Sequence, residues 1–209
     1  MEELHGISVT GVGSVTVEPD IATLSIGVSI AGSDLEAIRS AASAKLAGAR
    51  DHLLSAGVDR ADVRTDRLNV HTSFDHQVRQ TTHYLNSGLR ATIRDLTAAP
   101  VIVNELFEIV GDGMEMHGLT FGTEDPDAGA DEARARAVAD ARHKAEHLAE
   151  LAGVSLGAVQ SMVEGGAGGS GGQPRMMRAM AASAEMDMPI EAGELEKATT
   201  VSVRWAIAD

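Results

Sequence analysis

The sequence contains no cysteine and very few aromatic residues. Without cysteine, disulfide bonds, thiolate catalysis and cysteine-ligated metal sites are excluded. Aromatic residues make up 2% of the chain, so a buried core must be built from Val, Ile, Leu, Ala and Met. With 209 residues, of which 44% are hydrophobic, the chain is long enough and apolar enough to bury such a core.

Positive charge and long apolar runs are also scarce. Lys and Arg total 17 against 31 Asp and Glu, giving a formal net charge of −14, and a chain this acidic is not expected to bind nucleic acid. No apolar run reaches the roughly 20 residues of a membrane helix, so no integral membrane segment is expected. The first residues have neither a basic start nor an apolar segment. A cytoplasmic location is therefore predicted, and an exported or periplasmic one if a signal segment lies outside this sequence.

Alternating apolar and polar residues predict most of the strands. Residues 8–17 and 22–30 alternate on either side of a Glu-Pro-Asp turn, which predicts that these two strands form a β-hairpin. The next element is a helix that begins near residue 33 and ends at Gly57. The elements predicted after it are strands near 63–73 and 83–94, a helix at 98–110, a short strand at 114–121, a helix at 126–152, and strands near 155–163 and 199–207.

This order of elements predicts an α+β fold in which three helices pack on mixed or antiparallel β-sheets, in the order ββ-α-ββ-α-β-α-β-β. A single domain over residues 1–209 is expected, with a flexible insertion rich in Gly and Met at 165–190. Clustered methionines suit contact with a partner or another subunit, and they can also bind Cu(I), which leaves a metal-binding stress protein as an alternative. The candidate interaction residues are Met176, Met177, Met180, Met186 and Met188.

The third helix contains a motif that suggests catalysis. His143, Glu146 and His147 form H-x-x-E-H, the inverted zinc-protease pattern, in which two histidines bind the metal and the glutamate activates water. Helical geometry favours another interpretation, because both histidines fall on the face opposite an alanine-rich stripe predicted to be buried. A zinc site needs a third ligand and a supporting shell, so a solvated helix face is favoured and a metal-dependent hydrolase is the alternative. The stripe contains Ala130, Ala137, Ala141, Ala145, Leu148 and Ala152.

A second group of histidines lies around the predicted turn between the strands at 63–73 and 83–94. If these strands pair, His71 and His83 could approach each other and hold a divalent ion. Polar turns of this kind are far more often solvated, so no metal or cofactor is predicted. No nucleophile–base arrangement is visible elsewhere, and no catalytic residue is predicted.

Four stretches together resemble the SIMPL domain family, also called DUF541. They are ISVTGVGSVTVEPDIATLSIGV, AGVDRADVRTDRLNV, DEARARAVADARHKAEHLAELAGVSLGAV and PIEAGELEKATTVSVRWAI, and they extend in the family's order from Gly6 to Ile207. In the third helix the resemblance includes Asp140, Ala141, Arg142, Lys144, Ala145 and Glu146.

The resemblance implies a bacterial protein whose relatives are mostly exported or in the envelope. Some of these relatives are linked to oxidative stress, and some assemble into ring-like oligomers. It implies no catalytic residue set. We therefore predict a non-enzymatic protein that acts as a homo-oligomer, by binding a protein partner, or both.

Overall fold

The computed structural model describes residues 6–165 and 191–208. Their strands form two antiparallel sheets, in the orders β1-β7-β6 and β3-β4-β2-β5, and the helices follow one another as predicted. The prediction of an α+β fold is confirmed. The elements are β1 (Gly6–Val17), β2 (Ile21–Gly32), α1 (Leu35–Ser55), β3 (Val63–Asp75), β4 (Gln80–Ile93), α2 (Ala99–Val110), β5 (Met114–Gly122), α3 (Ala130–Ala152), β6 (Ser155–Gly165) and β7 (Leu195–Ala208).

The described residues divide into two compact units. The first unit contains β1, α3, β6 and β7, and the second contains β2 to β5 with α1 and α2. The assignment of residues 1–209 to a single domain remains a prediction. The predicted insertion, with Met176, Met177, Met180, Met186 and Met188, lies outside the described residues beyond Gly165.

The predicted hairpin between β1 and β2 is wrong. β1 pairs along its length with β7, from Gly6 opposite Ala206 to Val17 opposite Leu195. β2 pairs with β4 and β5 in the other sheet. Alternation reports that one face of a strand is buried, but it does not identify the strand beside it.

The third helix begins later than predicted. It starts at Ala130, after Gly129 in the left-handed conformation with a φ of 77°. Asp125 accepts a hydrogen bond from the Asp127 N–H at 2.9 Å. This local contact stabilises a turn instead of the first turn of a helix.

The core of the second unit lies between one face of its sheet and helices α1 and α2. Alternate residues of β2 and β4 point towards the helices, and α2 buries an apolar stripe against them. The opposite face of this sheet carries polar side chains, and we refer to it as the open face. The buried sheet residues are Ala22, Leu24, Ile26, Val28, Leu85, Leu89, Ala91 and Ile93.

The core of the first unit is thin, because glycines of β1 lie directly against α3. A Cβ atom on Gly11 would fall 2.7 Å from the Cβ of Ala141, and one on Gly13 would fall 2.9 Å from the Cβ of Arg136. Leu148, predicted in the buried stripe, is 45% exposed, because the contact follows a ridge of every fourth residue. That ridge is Ala133, Ala137, Ala141, Ala145 and Ala149, all buried.

Candidate functional site

The H-x-x-E-H residues lie on the outer surface of α3. His143 and His147 are exposed, and Glu146 forms an ion pair with Arg142 at 2.8 Å. Within residues 6–165 and 191–208, no group of three His, Asp or Glu side chains is placed to hold a metal ion. The motif residues therefore belong to a charged helix surface.

The structure does not bring His71 and His83 together, although β3 and β4 pair as predicted. His71 is opposite Tyr84 and His83 is opposite Thr72, so the two histidines point to opposite faces of the hairpin. The His71 ring stacks on Tyr84 with centroids 4.7 Å apart, and His83 Nδ1 lies 2.8 Å from the Thr72 hydroxyl.

Three charged side chains of α3 close the free edge of β1, and we call them the β1 seal. β1 is an edge strand, and a neighbouring chain could pair with such an edge if it were uncovered. The seal occupies three of the backbone groups that such a chain would use. Arg136 Nη1 donates to the Ser14 carbonyl (2.6 Å), Asp140 Oδ2 accepts from the Val12 N–H (2.8 Å), and Lys144 Nζ donates to the Thr10 carbonyl (3.2 Å).

Asp140 is the centre of the β1 seal. The hydrogen bond from Lys144, at 2.6 Å, is the largest influence that lowers the pKa of Asp140; the Val12 N–H lowers it further, and the charge of His143 acts in the same direction. A carboxyl whose pKa is lower in the folded than in the unfolded chain stabilises the fold above its unfolded pKa. That stabilisation is lost as the pH falls through the folded value.

We expect Asp140→Asn to destabilise the protein at neutral pH and to have a smaller effect on its stability at acid pH. The amide oxygen can still accept from Val12, but it carries no charge to hold Lys144. Urea midpoints of both proteins, followed by Trp205 fluorescence, should therefore differ at about pH 7 and converge as the pH falls below about 4, where the unfolded carboxyl of the wild type becomes protonated.

Glu146→Gln is the matched control for this substitution. It removes a carboxylate of the same helix that pairs with an exposed arginine, and it should show no such pH-dependent difference, because exposed pairs contribute little. If the urea midpoint of Asp140→Asn differed from that of the wild type by the same amount at neutral and acid pH, the role assigned to the carboxylate would be contradicted.

Two β-bulges turn polar side chains onto the open face of the second sheet. In β3 the register with β4 shifts at Asp66. In β5 the register with β2 shifts at His117, and the next residue, Gly118, has a φ of 149°, which glycine adopts far more readily than other residues. Bulges redirect side chains and are frequent beside functional sites.

Both bulge residues lie beside a pair of glycines in the centre of this face. Gly27 of β2 and Gly88 of β4 are directly opposite each other and buried, and a Cβ atom on Gly27 would fall 3.1 Å from His117 Nε2. Asp66 accepts a hydrogen bond from Ser25 Oγ at 3.3 Å and pairs with Arg90 Nη2 at 3.0 Å. We call this group the bulge site: Ser25, Gly27, Asp66, Gly88, Arg90 and His117.

Among the described residues, the bulge site has one buried hydrogen-bond donor without a partner but no activated nucleophile. An activated serine usually donates to a base such as histidine, whereas Ser25 donates to Asp66, and His117 faces Glu115 at 3.7 Å. Arg90 Nε is buried without a hydrogen-bond partner among the described residues. The arrangement therefore suits binding better than catalysis.

Sequence reasoning missed the bulge site because a bulge shifts the register by one residue without changing the composition. The available signal was glycine in the interior of two strands, since such glycines often mark a bulge or the close approach of another group.

The edge strand β3 exposes apolar side chains on the face that continues the core. Val70 is directly opposite the buried Leu85, so alternate residues of β3 point to the helix side of the sheet, but neither helix covers them. Beyond the last β2–β4 pair, Gly32 opposite His83, the hairpin projects as two strands alone. Three exposed apolar side chains of β3 lie on this side, of which Phe74 is in the projecting part. We call them the β3 strip: Leu68 (71% exposed), Val70 (44%) and Phe74 (48%).

The chain matches one family along most of its length. Residues 7–205 fit the family model SIMPL, described as a protein of unknown function (DUF541). No helix in the described part of the chain is long and apolar enough to cross a membrane.

Curated relatives agree with that match. The chain is 29% identical to the 26 kDa periplasmic immunogenic protein of Brucella melitensis, covering 96% of this chain and 84% of that protein. A protein of the same name from Brucella abortus is 28% identical over the same shares. The uncharacterized protein YggE of Escherichia coli is 27% identical, covering 75% of this chain and 64% of that protein.

Proposed function

The chain belongs to the SIMPL family, and from this premise we propose that it is a non-enzymatic protein that assembles with further copies of itself through β3. The observation that carries the proposal is the β3 strip. An edge strand with free backbone groups and exposed apolar side chains is a template for pairing with another chain.

Neither edge strand of the first sheet, β1 or β6, is as well suited to such pairing as β3. The β1 edge is closed by its seal. In β6 the register with β7 shifts twice, around Val159 and Ser161, and bulges interrupt the regular spacing that an added strand needs. β3 keeps one register with β4 from Arg67 to Asp75, so it offers nine consecutive residues for pairing.

A second copy of the chain fits the β3 strip better than an unrelated partner. Two β3 strands pairing antiparallel about a two-fold axis would bring the two strips together, because such a contact uses the same patch on both copies. Each copy would cover the apolar area of the other. A two-stranded hairpin is marginal in water by itself, so the contact would also stabilise the projecting part of the hairpin.

Val70→Lys tests this assembly. We expect the wild-type protein at micromolar concentration to have a mass in solution that is a multiple of 21.7 kDa, and the variant to have the mass of one chain. Lysine at the centre of the strip would place a charge in the contact and oppose its copy. Light scattering or analytical ultracentrifugation measures both masses.

Val163→Lys, on β6 where the side chain is 62% exposed, is the matched control and should keep the wild-type mass. A wild-type protein that is monomeric at this concentration would contradict the proposal. So would a Val70→Lys variant that still assembles. Deleting residues 166–188 separates the β3 strip from the predicted methionine segment, because loss of assembly in that variant alone would assign the contact to the methionine segment.

We also propose that the protein is exported, since the two Brucella relatives are named periplasmic. These relatives give no support to the predicted cytoplasmic location. Osmotic shock of the producing bacterium should release the protein with a periplasmic marker, and retention with a cytoplasmic marker would contradict export.

A further inference from the structure

We propose that the open face of the second sheet binds a doubly charged oxyanion, such as phosphate or a dicarboxylate, between Arg64, Arg67 and Arg90. This site is next to the bulge site and shares Arg90 with it. Its side chains are distinct from the β3 strip, which lies on the opposite face of β3.

The register of the sheet brings the three arginines together. Arg64 is directly opposite Arg90, and Arg67 is directly opposite Gly88, two residues before Arg90 on β4. Directly opposed residues point to the same face, with Cβ atoms about 5 Å apart. Three guanidinium groups therefore extend from one small area, next to the glycine pair of the bulge site.

The positive charge of this area is incompletely balanced. Asp66 pairs with Arg90, but within the described part of the chain neither Arg64 nor Arg67 has an ion-pair partner. Like charges directly opposite each other destabilise a sheet, yet the chain places two arginines there although its net charge is −14. A bound dianion would remove this repulsion.

Arg90 also has a hydrogen-bond donor that the protein does not use. Its Nη2 contacts Asp66, whereas its Nε is buried with no partner among the described residues. A buried donor without an acceptor is costly. The planar fork of arginine matches carboxylate and phosphate oxygens, so an oxyanion supplies the missing negative charge.

Titration followed by ¹H–¹⁵N spectra tests the site with three probes: sodium phosphate, sodium succinate and sodium chloride at matched ionic strength. We expect saturable shifts at Gly27, Gly88 and the Arg90 Nε–H with phosphate, succinate or both, and none with chloride. Saturable shifts with phosphate alone identify a phosphate site, and shifts with succinate alone identify a carboxylate site. Shifts with both salts identify a general oxyanion site.

Two variants and two controls complete the test. Arg64→Gln and Arg67→Gln should each weaken the Kd about tenfold, the effect of one charged hydrogen bond. Arg50→Gln removes an exposed arginine of α1 and should leave the Kd unchanged, as should Val70→Lys. Absence of saturable shifts with both oxyanions would overturn the proposal, and so would an equal Kd in wild type, Arg64→Gln and Arg67→Gln.

Discussion

Gly11→Ala is expected to lower the free energy of unfolding by about 3 kcal/mol or more, at the upper end of what overpacking costs. The added Cβ would lie 2.5 Å from the backbone nitrogen of Ala141 and 2.7 Å from its Cβ. These atoms belong to the helix itself, so relief requires α3 to move away from β1, which opens a gap along the alanine ridge. Urea denaturation followed by Trp205 fluorescence measures the loss.

Gly48→Ala is the matched control for this substitution. Its added Cβ would meet the Cγ2 methyl of Ile109 at 3.3 Å, a contact that a shift of a few tenths of an ångström relieves because Ile109 is 41% exposed. Alanine also favours a helix interior by about 1 kcal/mol over glycine. We expect this variant to be as stable as the wild type or more so. A Gly11→Ala variant within about 0.5 kcal/mol of the wild type, the range of ordinary surface changes, would contradict the close contact between helix and strand.

Trp205→Ala is expected to cost about 3–5 kcal/mol, as for other buried aromatic residues. Trp205 is 5% exposed and is the largest side chain in a core cluster otherwise made of alanine and valine. The small residues of α3 cannot expand to fill the space that it would leave. Urea denaturation followed by far-UV circular dichroism measures the loss, because the variant contains no tryptophan.

Two further variants show whether the loss of stability comes from packing at Trp205 or from truncation of any large side chain in this unit. Trp205→Phe keeps an aromatic ring and should lower the free energy of unfolding less than Trp205→Ala does. Leu151→Ala truncates a side chain that is 72% exposed and should stay within about 0.5 kcal/mol of the wild type. If Trp205→Ala and Leu151→Ala lowered the free energy of unfolding by similar amounts, the tryptophan would not be the centre of this core.

The sequence was a good guide to local structure. Strand periodicity identified β1, β2 and β4, and the position of α2 was predicted within one residue, because these signals depend on neighbours in the chain. The outward position of His143 and His147 followed from helical geometry alone. The same geometry misplaced Leu148, because the angle of the helix across the sheet depends on the glycines of β1 as well as on the alanine ridge of α3.

Strand partners and the bulge site could not be predicted from the sequence. β1 has the alternation of a hairpin strand, but its partner, β7, lies at the other end of the chain. In the sequence, Asp66 and His117 look like ordinary polar residues of a strand. The register shifts that turn them onto the open face cannot be detected from the residue composition. Asp140 belongs to a stretch that identified the family, but its contact with Val12 depends on where α3 crosses β1.

The pairing of β1 with β7 also bears on the order in which the protein folds. Gly6 and Ala206 are neighbours in the sheet although they are 200 positions apart in sequence (206 minus 6), whereas the described strands and helices of the second unit lie between Ile21 and Gly122. Contacts between distant residues form slowly, and domains form in sequence as a chain is synthesised. We therefore expect the second unit to fold while β7 is still missing, and the first unit to form only when the last strand arrives.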